Sequence, residues 1–291
     1  MNNSIHFKAY AKINLGLDVV GKRADGYHEV RMIMQNIKLY DKISIHIINS
    51  SKIKLQTNLP YLPSNDNNIV YKAASLLREK HNIKSGLYIN LNKTIPVSAG
   101  LAGGSTDAAA TLHGMNELFN LNLTLDELMD VGLILGADVP YCLMGGTVLS
   151  EGIGEKLTKL PPLPFCHILI VKPKINVSTQ KIYQNFDLLK VTNHPNIDAI
   201  IQGIENNDLH QTTKYLGNVL ESVTINKYPE IEKIKNTMIE QGAINSLMSG
   251  SGPTVFGIFD DSKKAKNAYY YFKVLNFEYQ VFLSKPIKKT N

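Results

Sequence analysis

Pro96-Val-Ser-Ala-Gly-Leu-Ala-Gly-Gly-Ser-Thr-Asp-Ala-Ala-Ala110 is the stretch that organises this chain. A strand-like run precedes it at 87–95, and a helix-like run follows at 108–119. Its three glycines allow a tight turn and a close approach of backbone to ligand: Gly100, Gly103 and Gly104. We expect Ser105 and Thr106 to cap the helix. Amide groups and the positive helix end would then face one point, which predicts an anion site with phosphate as its occupant.

Two familiar phosphate motifs do not fit this stretch. A Walker A loop requires a Lys after the glycines, and the dinucleotide fingerprint requires G-x-G-x-x-G spacing. The alternative is a Gly-rich turn that only joins a strand to a helix. The length of the loop, its three glycines and its two hydroxyls at a helix start favour the phosphate site.

Composition bounds the class of protein. A length of 291 residues indicates one large domain or two ordinary ones. A hydrophobic content of 44% is enough for a sizeable core and argues against global disorder. The formal net charge, 31 − 25 = +6, favours anionic ligands. Because Lys and Arg are dispersed, a basic soluble surface is a better interpretation than a nucleic-acid-binding surface.

Cysteine usage and hydropathy indicate the compartment. Cys142 and Cys166 show no metal-ligand spacing and lie in apolar surroundings, so we expect buried thiols in a reducing cytosol. The N-terminus lacks the apolar core of a signal peptide, and no run approaches the length of a membrane span. These features predict a cytoplasmic protein with no membrane partner and no nucleic-acid partner.

The N-terminal region reads as strands. Residues 5–20 alternate with a period of two, which places Lys12 and Asn14 on one face, either on a solvated edge or in a cleft. Asp25-Gly26 is a turn signal, and Tyr27 and His28 follow it. Those two rings are either half-exposed loop residues or a stacking ring with a nitrogen that reads a polar edge. The spacing leaves both interpretations open.

Helix signals recur along the rest of the chain. Asn67 and Asn68 precede a helix at 69–80, and Thr124-Leu-Asp-Glu127 is a capping box for a helix that ends near Gly136. Ser178-Thr179 caps a short helix that carries Tyr183. The patterns also predict helices at 207–221, 229–241 and 263–272, a proline-rich linker at 160–164, and further strands at 30–40, 43–48, 147–150, 165–171 and 278–284.

Two further turns are candidates for chemistry. Asp138, in Gly136-Ala-Asp-Val-Pro140, lies between a helix end and a proline, where Asp is often only a turn former. Met248-Ser-Gly-Ser-Gly-Pro-Thr254 offers amide groups to an anion, although a tight hairpin explains it at least as well.

Taken together, the motifs resemble those of the GHMP small-molecule kinases. Three match in order: Ala11-Lys-Ile-Asn-Leu15, residues 96–106 and residues 248–254. Within that family, Arg23-Ala-Asp-Gly-Tyr-His28 is the most specific piece, and it resembles members that act on a cytidine-diphosphate-linked methylerythritol. The resemblance covers essentially the whole chain.

The resemblance implies an α+β fold of two domains. Residues 1–158 would form an ATP-binding domain similar to the second domain of ribosomal protein S5. Residues 159–291 would form a ferredoxin-like, substrate-binding domain. ATP and substrate would meet in the cleft between them. The resemblance also implies a small-molecule substrate with a cytidine diphosphate group, and we expect a monomer or weak homodimer.

The implied reaction is phosphorylation of the 2-hydroxyl of the methylerythritol unit by ATP, in the non-mevalonate route to isoprenoid precursors. Lys12 and Asp138 match the catalytic pair, with Asp138 as the base and Lys12 as the stabilising charge. The ATP phosphates would lie on the glycine loop: Pro96, Val97, Ser98, Ala99, Gly100, Leu101, Ala102, Gly103, Gly104, Ser105 and Thr106. Ser98-Ala99 stands where some members have glycines, but the amides remain.

Other matched positions would contact the two ligands. Asn67 and Lys93 match nucleotide-contacting positions, and Mg²⁺ is expected with ATP, with Ser105 or Thr106 as its hydroxyl ligand. The substrate-binding matches are Asn14, Tyr27, His28, Thr179 and Tyr183. A homoserine or mevalonate kinase would lack the Asp-Gly-Tyr-His element, and a catalytically silent relative would have lost Lys12 or Asp138.

Overall fold

The computed structural model describes residues 3–288. Its strands are β1 (Ser4–Lys22), β2 (His28–Ile48), β3 (Ile53–Thr57), β4 (Gly86–Asn92), β5 (Thr147–Gly152), β6 (Lys156–Lys159), β7 (His167–Lys172), β8 (Gly217–Asn218), β9 (Asn245–Met248), β10 (Val255–Phe259) and β11 (Gln280–Ser284). Its helices are α1 (Ile69–Lys80), α2 (Gly103–Leu118), α3 (Leu125–Leu135), α4 (Val139–Met144), α5 (Thr179–Asn185), α6 (Ile197–Glu205), α7 (Leu209–Lys214), α8 (Glu221–Lys227), α9 (Glu230–Glu240) and α10 (Ser262–Leu275). A short 3₁₀ turn spans Leu188–Lys190.

Several helices begin where their capping residues predict. Asn68 Oδ1 accepts a hydrogen bond from Val70 N at 2.9 Å and starts α1. Thr124 and Glu127 form both bonds of a capping box at the start of α3. Ser178 caps α5, which carries Tyr183. These predictions are confirmed because a cap needs only residues within one turn of each other.

The chain folds into two compact units. The first unit contains the residues up to Ala11, together with Leu39–Val97 and Ala102–Met144. The second unit contains Lys12–Lys38, Ser98–Leu101 and the residues from Gly145 onward. Strands β1 and β2 therefore contribute to both units. The linear boundary after residue 158 remains a prediction.

In the first unit, helices pack on a sheet. Residues 42–48 of β2 pair antiparallel with β4, which pairs parallel with β3. Ile43 and Ile45 are buried, and α2 lies close to them at Gly114, where an added Cβ would be 2.9 Å from Ile45 Cδ1. The small residues at 108–110 are buried and allow α2 to approach its neighbouring helices closely.

The second unit contains an antiparallel sheet of four strands in the order β11-β7-β10-β9. Phe256, Phe259 and Phe272 fill its core. Residues 30–35 of β2 pair with β5, and Gly16 of β1 pairs parallel with Gly217 of β8. This mixture of helices with mostly antiparallel sheets confirms the predicted α+β class.

Four predictions need correction or comment. The strands predicted at 30–40 and 43–48 are one strand, β2, which continues through Asp41; its buried carboxylate contacts Lys93 Nζ and accepts from Ile95 N at 2.8 Å. The helix predicted at 207–221 is wrong, since α7 ends at Lys214 and β8 intervenes. The proline-rich segment 160–164 lies inside the second unit. Cys142 and Cys166 are both buried, as predicted, and burial raises the pKa of Cys166 to about 12. Across residues 3–288, no helix is long and apolar enough to span a membrane.

Candidate active site

The glycine loop, residues 96–102, has an unusual backbone. Its φ angle is positive at every second residue: 51° at Ser98, 73° at Gly100 and 54° at Ala102. Alternation between left-handed and ordinary conformations turns successive N–H groups towards one concavity, the geometry of an anion-binding nest. Serine and alanine rarely adopt this conformation, so the surrounding structure must hold them there.

Helix α2 begins at Gly103, directly after the loop, and five residues earlier than the sequence suggested. Its N-cap position is Ala102, and no side chain caps it. The prediction that Ser105 and Thr106 cap the helix is therefore wrong. The Thr106 hydroxyl donates instead to the carbonyl oxygen of Tyr10 at 2.8 Å. The first turn of α2 is thus open to a ligand that accepts hydrogen bonds from its amides.

The three glycines differ in how tightly they are enclosed. A Cβ on Gly100 would lie 2.1 Å from the carbonyl oxygen of Ser249, so only glycine fits. A Cβ on Gly103 would lie 3.1 Å from Ile95 Cγ2 and 3.2 Å from Lys93 Nζ. A Cβ on Gly104 would meet only Ile69 Cγ2, at an ordinary 3.6 Å. The fold therefore requires glycine at 100 but not at 104.

Lys93 lies beneath the start of α2 within a buried charge cluster. Its ammonium contacts the carboxylates of Asp41 and Asp107, the latter at 2.6 Å. Burial alone would lower the pKa of Lys93, but the two carboxylates outweigh it and raise that pKa. Burial raises the pKa of Asp107 well above its usual range. The donor and both acceptors belong to the first unit, so Lys93 supports the start of α2; its contact with the nucleotide remains a prediction.

Lys12 and Asn14 share one face of β1, as their spacing predicts. Lys12 Nζ donates to Asn14 Oδ1 at 2.7 Å, and both side chains are buried. The backbone N–H of Lys12 donates to the carbonyl oxygen of Leu101 at 3.1 Å. The strand that carries the predicted catalytic lysine is therefore hydrogen-bonded directly to the glycine loop within the second unit.

Asp138 lies in the turn between α3 and α4, in the first unit. Its carbonyl oxygen accepts from Cys142 N at 3.1 Å, and its side chain is half-buried. The turn is set by Gly136, whose carbonyl oxygen accepts from Val139 N at 3.0 Å. The pairing of Asp138 with Lys12 remains a prediction.

Three rings form an aromatic cluster in the second unit. The His28 imidazole lies 5.3 Å from the Tyr183 ring at an interplanar angle of 38°, and 6.0 Å from the Phe186 ring at 85°. Tyr27 is 59% exposed on the preceding turn, where Asp25 Oδ1 accepts from its N–H at 3.1 Å. Burial, with a contribution from Lys22, lowers the pKa of His28. The imidazole is therefore neutral at physiological pH and has one donor and one acceptor nitrogen.

Phe186 was missed in the sequence. It follows Tyr183 by three residues, the spacing that places two side chains on one side of a helical turn, and this signal was available.

Thr179 opens α5, and its hydroxyl lies 2.8 Å from that of Ser251. Asn67 is exposed just before α1, where its backbone N–H donates to Asn65 Oδ1 at 3.1 Å. Within residues 3–288, no group of three or more His, Cys, Asp or Glu residues could hold a metal ion.

Two family models match this chain. The GHMP kinases N terminal domain matches residues 68–146, and the GHMP kinases C terminal model matches residues 193–273. A curated 4-diphosphocytidyl-2-C-methyl-D-erythritol kinase from Lachnoclostridium phytofermentans is 58% identical over 287 residues, which is 99% of each chain. The kinase of the same name from Acetivibrio thermocellus is 51% identical over 284 residues, 98% of this chain and 99% of the relative.

Solved structures agree with these matches. A crystal structure of 4-(cytidine 5'-diphospho)-2C-methyl-D-erythritol kinase superposes with a TM-score of 0.84 at 29% identity, covering 99% of this chain and 100% of that one. Homoserine kinase from Cytophaga hutchinsonii superposes with a TM-score of 0.78 at 18% identity, covering 99% and 96% of the two chains. At that identity the second likeness concerns the fold alone. Together with the family models, these structures confirm the predicted fold class.

Proposed function

This chain belongs to the 4-diphosphocytidyl-2-C-methyl-D-erythritol kinases of the GHMP kinase family, and from that membership we propose its reaction and its site. It transfers the γ-phosphoryl group of ATP to the 2-hydroxyl of 4-diphosphocytidyl-2-C-methyl-D-erythritol, in the non-mevalonate route to isoprenoid precursors. The observation that carries the proposal is the full-length identity to curated relatives of that name. The nest-like glycine loop at the open start of α2 supports it independently.

The glycine loop binds the ATP phosphates. Phosphoryl transfer requires positioning and neutralisation of charge more than covalent help from the protein. Alternating left-handed residues and the uncapped start of α2 supply backbone N–H groups, and the helix dipole adds a partial positive charge. The glycine loop, residues 96–102, and the first residues of α2 up to Thr106 form this site. Asn67, which lies just before helix α1, contacts the nucleotide.

Mg²⁺ bound with ATP would neutralise charge on the phosphate oxygens. The Ser105 or Thr106 hydroxyl would be its protein ligand; the Thr106 hydroxyl donates its proton to the Tyr10 carbonyl oxygen, which leaves its lone pairs for a cation. Mg²⁺ commonly keeps several waters and uses few protein ligands. Lys93 acts through the helix start that it supports rather than by an exposed ammonium.

Asp138 is the general base that accepts the proton of the 2-hydroxyl, and Lys12 supplies positive charge to the reacting oxygen. A nearby ammonium favours the ionised form of a carboxyl group and stabilises negative charge on the attacking oxygen. Asn14 orients the Lys12 ammonium through the 2.7 Å hydrogen bond and holds the methylerythritol end of the substrate.

The cytidine group binds at His28 and Tyr183, with Tyr27 and Thr179 beside them. A neutral imidazole can donate to and accept from the edge of cytosine, and the two tyrosine rings offer faces for stacking. Such hydrogen bonds reject a base that cannot complete them.

ADP release with 4-diphosphocytidyl-2-C-methyl-D-erythritol, measured beside homoserine, mevalonate and galactose, tests the function. We expect turnover with the cytidine substrate alone. Equal or faster turnover with one of the other three would contradict the proposal, and no turnover with any would favour a silent relative.

A further inference from the structure

The turn Ser249-Gly-Ser-Gly252, here called the connecting turn, touches two parts of the proposed site. The Ser249 hydroxyl donates to the carbonyl oxygen of Gly100, in the glycine loop, at 2.9 Å. The Ser251 hydroxyl lies 2.8 Å from that of Thr179, the first residue of α5. Both serines are buried, and all four residues belong to the second unit. One turn thus links the proposed phosphate loop to the helix that carries Tyr183.

Asn218 holds the backbone of the connecting turn. Its side-chain amide donates to the carbonyl oxygens of Met248 at 2.9 Å and Gly250 at 2.7 Å. Its side-chain oxygen accepts from Leu220 N at 3.0 Å. The side chain is buried, and both amide hydrogens and the oxygen are used. Neither Asp nor Leu could make this set of bonds, because neither can donate twice.

Neighbouring residues of α8 complete the support. Glu221 Oε1 accepts from Met248 N at 2.9 Å, and its second oxygen contacts Lys235 Nζ at 2.5 Å. Thr224 Oγ1 donates to the carbonyl oxygen of Ser251 at 3.3 Å. Residues 218–224 therefore fix the backbone at both ends of the connecting turn, and Asn218 makes the central pair of bonds.

We propose that Asn218 is a positioning residue for phosphoryl transfer, which acts by holding the connecting turn against both Gly100 and Thr179. This inference rests on the proposed function, since it takes the glycine loop as the phosphate site and α5 as part of the cytidine site. A loop held in its bound shape loses less conformational freedom on binding. Because one turn holds both ligand-binding segments, loosening it weakens both ligands together.

The principal variant is Asn218→Ala, assayed as the full chain. We expect kcat/KM for the cytidine substrate to fall about 100-fold, the effect of a displacement of roughly 1 Å near reacting groups. The dissociation constant of a non-hydrolysable ATP analogue, measured by calorimetry, rises about ten-fold.

Two single-hydroxyl variants test the contact with Gly100 and the contact with Thr179 separately. They also provide the test if Asn218→Ala does not fold. Ser249→Ala removes the bond to Gly100 and weakens the ATP analogue more than the cytidine substrate. Ser251→Ala removes the bond to Thr179 and raises KM for the cytidine substrate more than KM for ATP. If each serine variant weakened ATP and the cytidine substrate equally, the proposal that the connecting turn supports the two ligand sites through separate contacts would be wrong.

Asn245→Ala is the matched control. Asn245 also donates from its side chain to a backbone oxygen, that of Thr213 at 2.7 Å, and accepts from Ser246 N at 2.8 Å. It lies at the start of β9, the end of that strand remote from the connecting turn, so we expect lower thermal stability with unchanged affinities. If Asn218→Ala and Asn245→Ala changed ligand affinity alike, Asn218 would be only structural. Should the wild type bind the ATP analogue but not phosphorylate the cytidine substrate, the proposed function fails, while analogue affinity still tests Asn218.

Discussion

The Tyr183 ring lies against the His28 imidazole, with centroids 5.3 Å apart and planes inclined by 38°. Both residues belong to the second unit, and Phe186 meets the imidazole edge-on. A flat base that enters here would replace contact between the two side chains by stacking on their faces. Changes to these rings should therefore alter the Michaelis constant for the cytidine substrate.

Loss of the Tyr183 ring should weaken the cytidine substrate selectively. Stacking on an aromatic side chain contributes about 1–3 kcal/mol per base, so Tyr183→Ala should raise its Michaelis constant about ten-fold or more. The constant for ATP should hardly change. Tyr270→Ala is the control, since Tyr270 is 65% exposed on α10. An equal rise for both substrates would mean that Tyr183 has a general structural role.

Protonation of His28 should also weaken the cytidine substrate. Burial lowers the pKa of His28 below its ordinary 6.5, so the ring stays neutral at neutral pH and gains a proton only as pH falls further. The proton removes the acceptor nitrogen. We expect the Michaelis constant for the cytidine substrate to be flat near neutrality and to rise at acidic pH. In His28→Gln, which keeps a donor and an acceptor but does not titrate, the acidic rise should be smaller; an identical rise would exclude His28.

Gly104→Ala should affect thermal stability and ATP affinity differently. An added Cβ there meets only Ile69 Cγ2 at 3.6 Å, and Gly→Ala at a compatible position stabilises proteins by about 0.4–1 kcal/mol. Thermal stability should therefore stay the same or rise, whereas ATP affinity should fall because the proposed phosphate site requires close approach to the backbone at Gly104. Unchanged affinity by calorimetry would show that phosphate does not approach Gly104 closely.

Replacement of Asp138 tests the proposed base. Asp138→Asn should leave ATP affinity nearly intact and lower turnover by about 10²–10⁴, the contribution of a general base. Asp130→Asn, an exposed carboxylate on α3, is the control for a change of charge. Wild-type turnover in Asp138→Asn would remove Asp138 from the mechanism.

Replacing different members of the buried charge cluster should lower the free energy of unfolding by different amounts. Lys93→Met leaves two buried carboxyl groups without their cation and should destabilise the protein by about 3–5 kcal/mol. Asp107→Asn should cost much less, because Asn is close to Asp in size and Asp41 still pairs with the Lys93 ammonium. Urea unfolding measures both. Similar losses in the two variants would mean that Asp107 is as important to the cluster as Lys93.

The raised pKa of Asp107 has a consequence for pH. Between the unfolded value near 3.8 and its higher folded value, the folded protein binds a proton at Asp107 that the unfolded chain releases. This group therefore makes the free energy of unfolding fall as pH rises through that window. That part of the fall should be absent in Asp107→Asn.

Local features could be predicted from the sequence. The caps at Asn68 and Thr124 and the shared face of Lys12 and Asn14 depend on residues a few positions apart, and all three predictions are confirmed. The predicted caps at Ser105 and Thr106 failed because α2 starts earlier, after a left-handed loop that contacts Ser249. That contact joins residues 149 positions apart, and no local pattern encodes it.

Long-range partners also account for the other misses. Asp41 interrupts an apolar pattern and looked like a break between strands, yet it is buried against Lys93, 52 positions away. The helix predicted through Gly217 fails because β8 pairs with β1, and a Cβ on Gly217 would lie 2.8 Å from Pro195 Cβ. Neither partner can be identified from spacing in one sequence.

Each unit is built from three separate segments of the chain, and this limits how genetic recombination can exchange units between related proteins. It passes from one unit to the other after residues 11, 38, 97, 101 and 144. A single genetic crossover therefore cannot exchange one unit for that of a relative; at any of these points it leaves at least one unit a hybrid. Partners such as Asp41 and Lys93, or Gly100 and Ser249, must then be inherited from the same parent to remain matched.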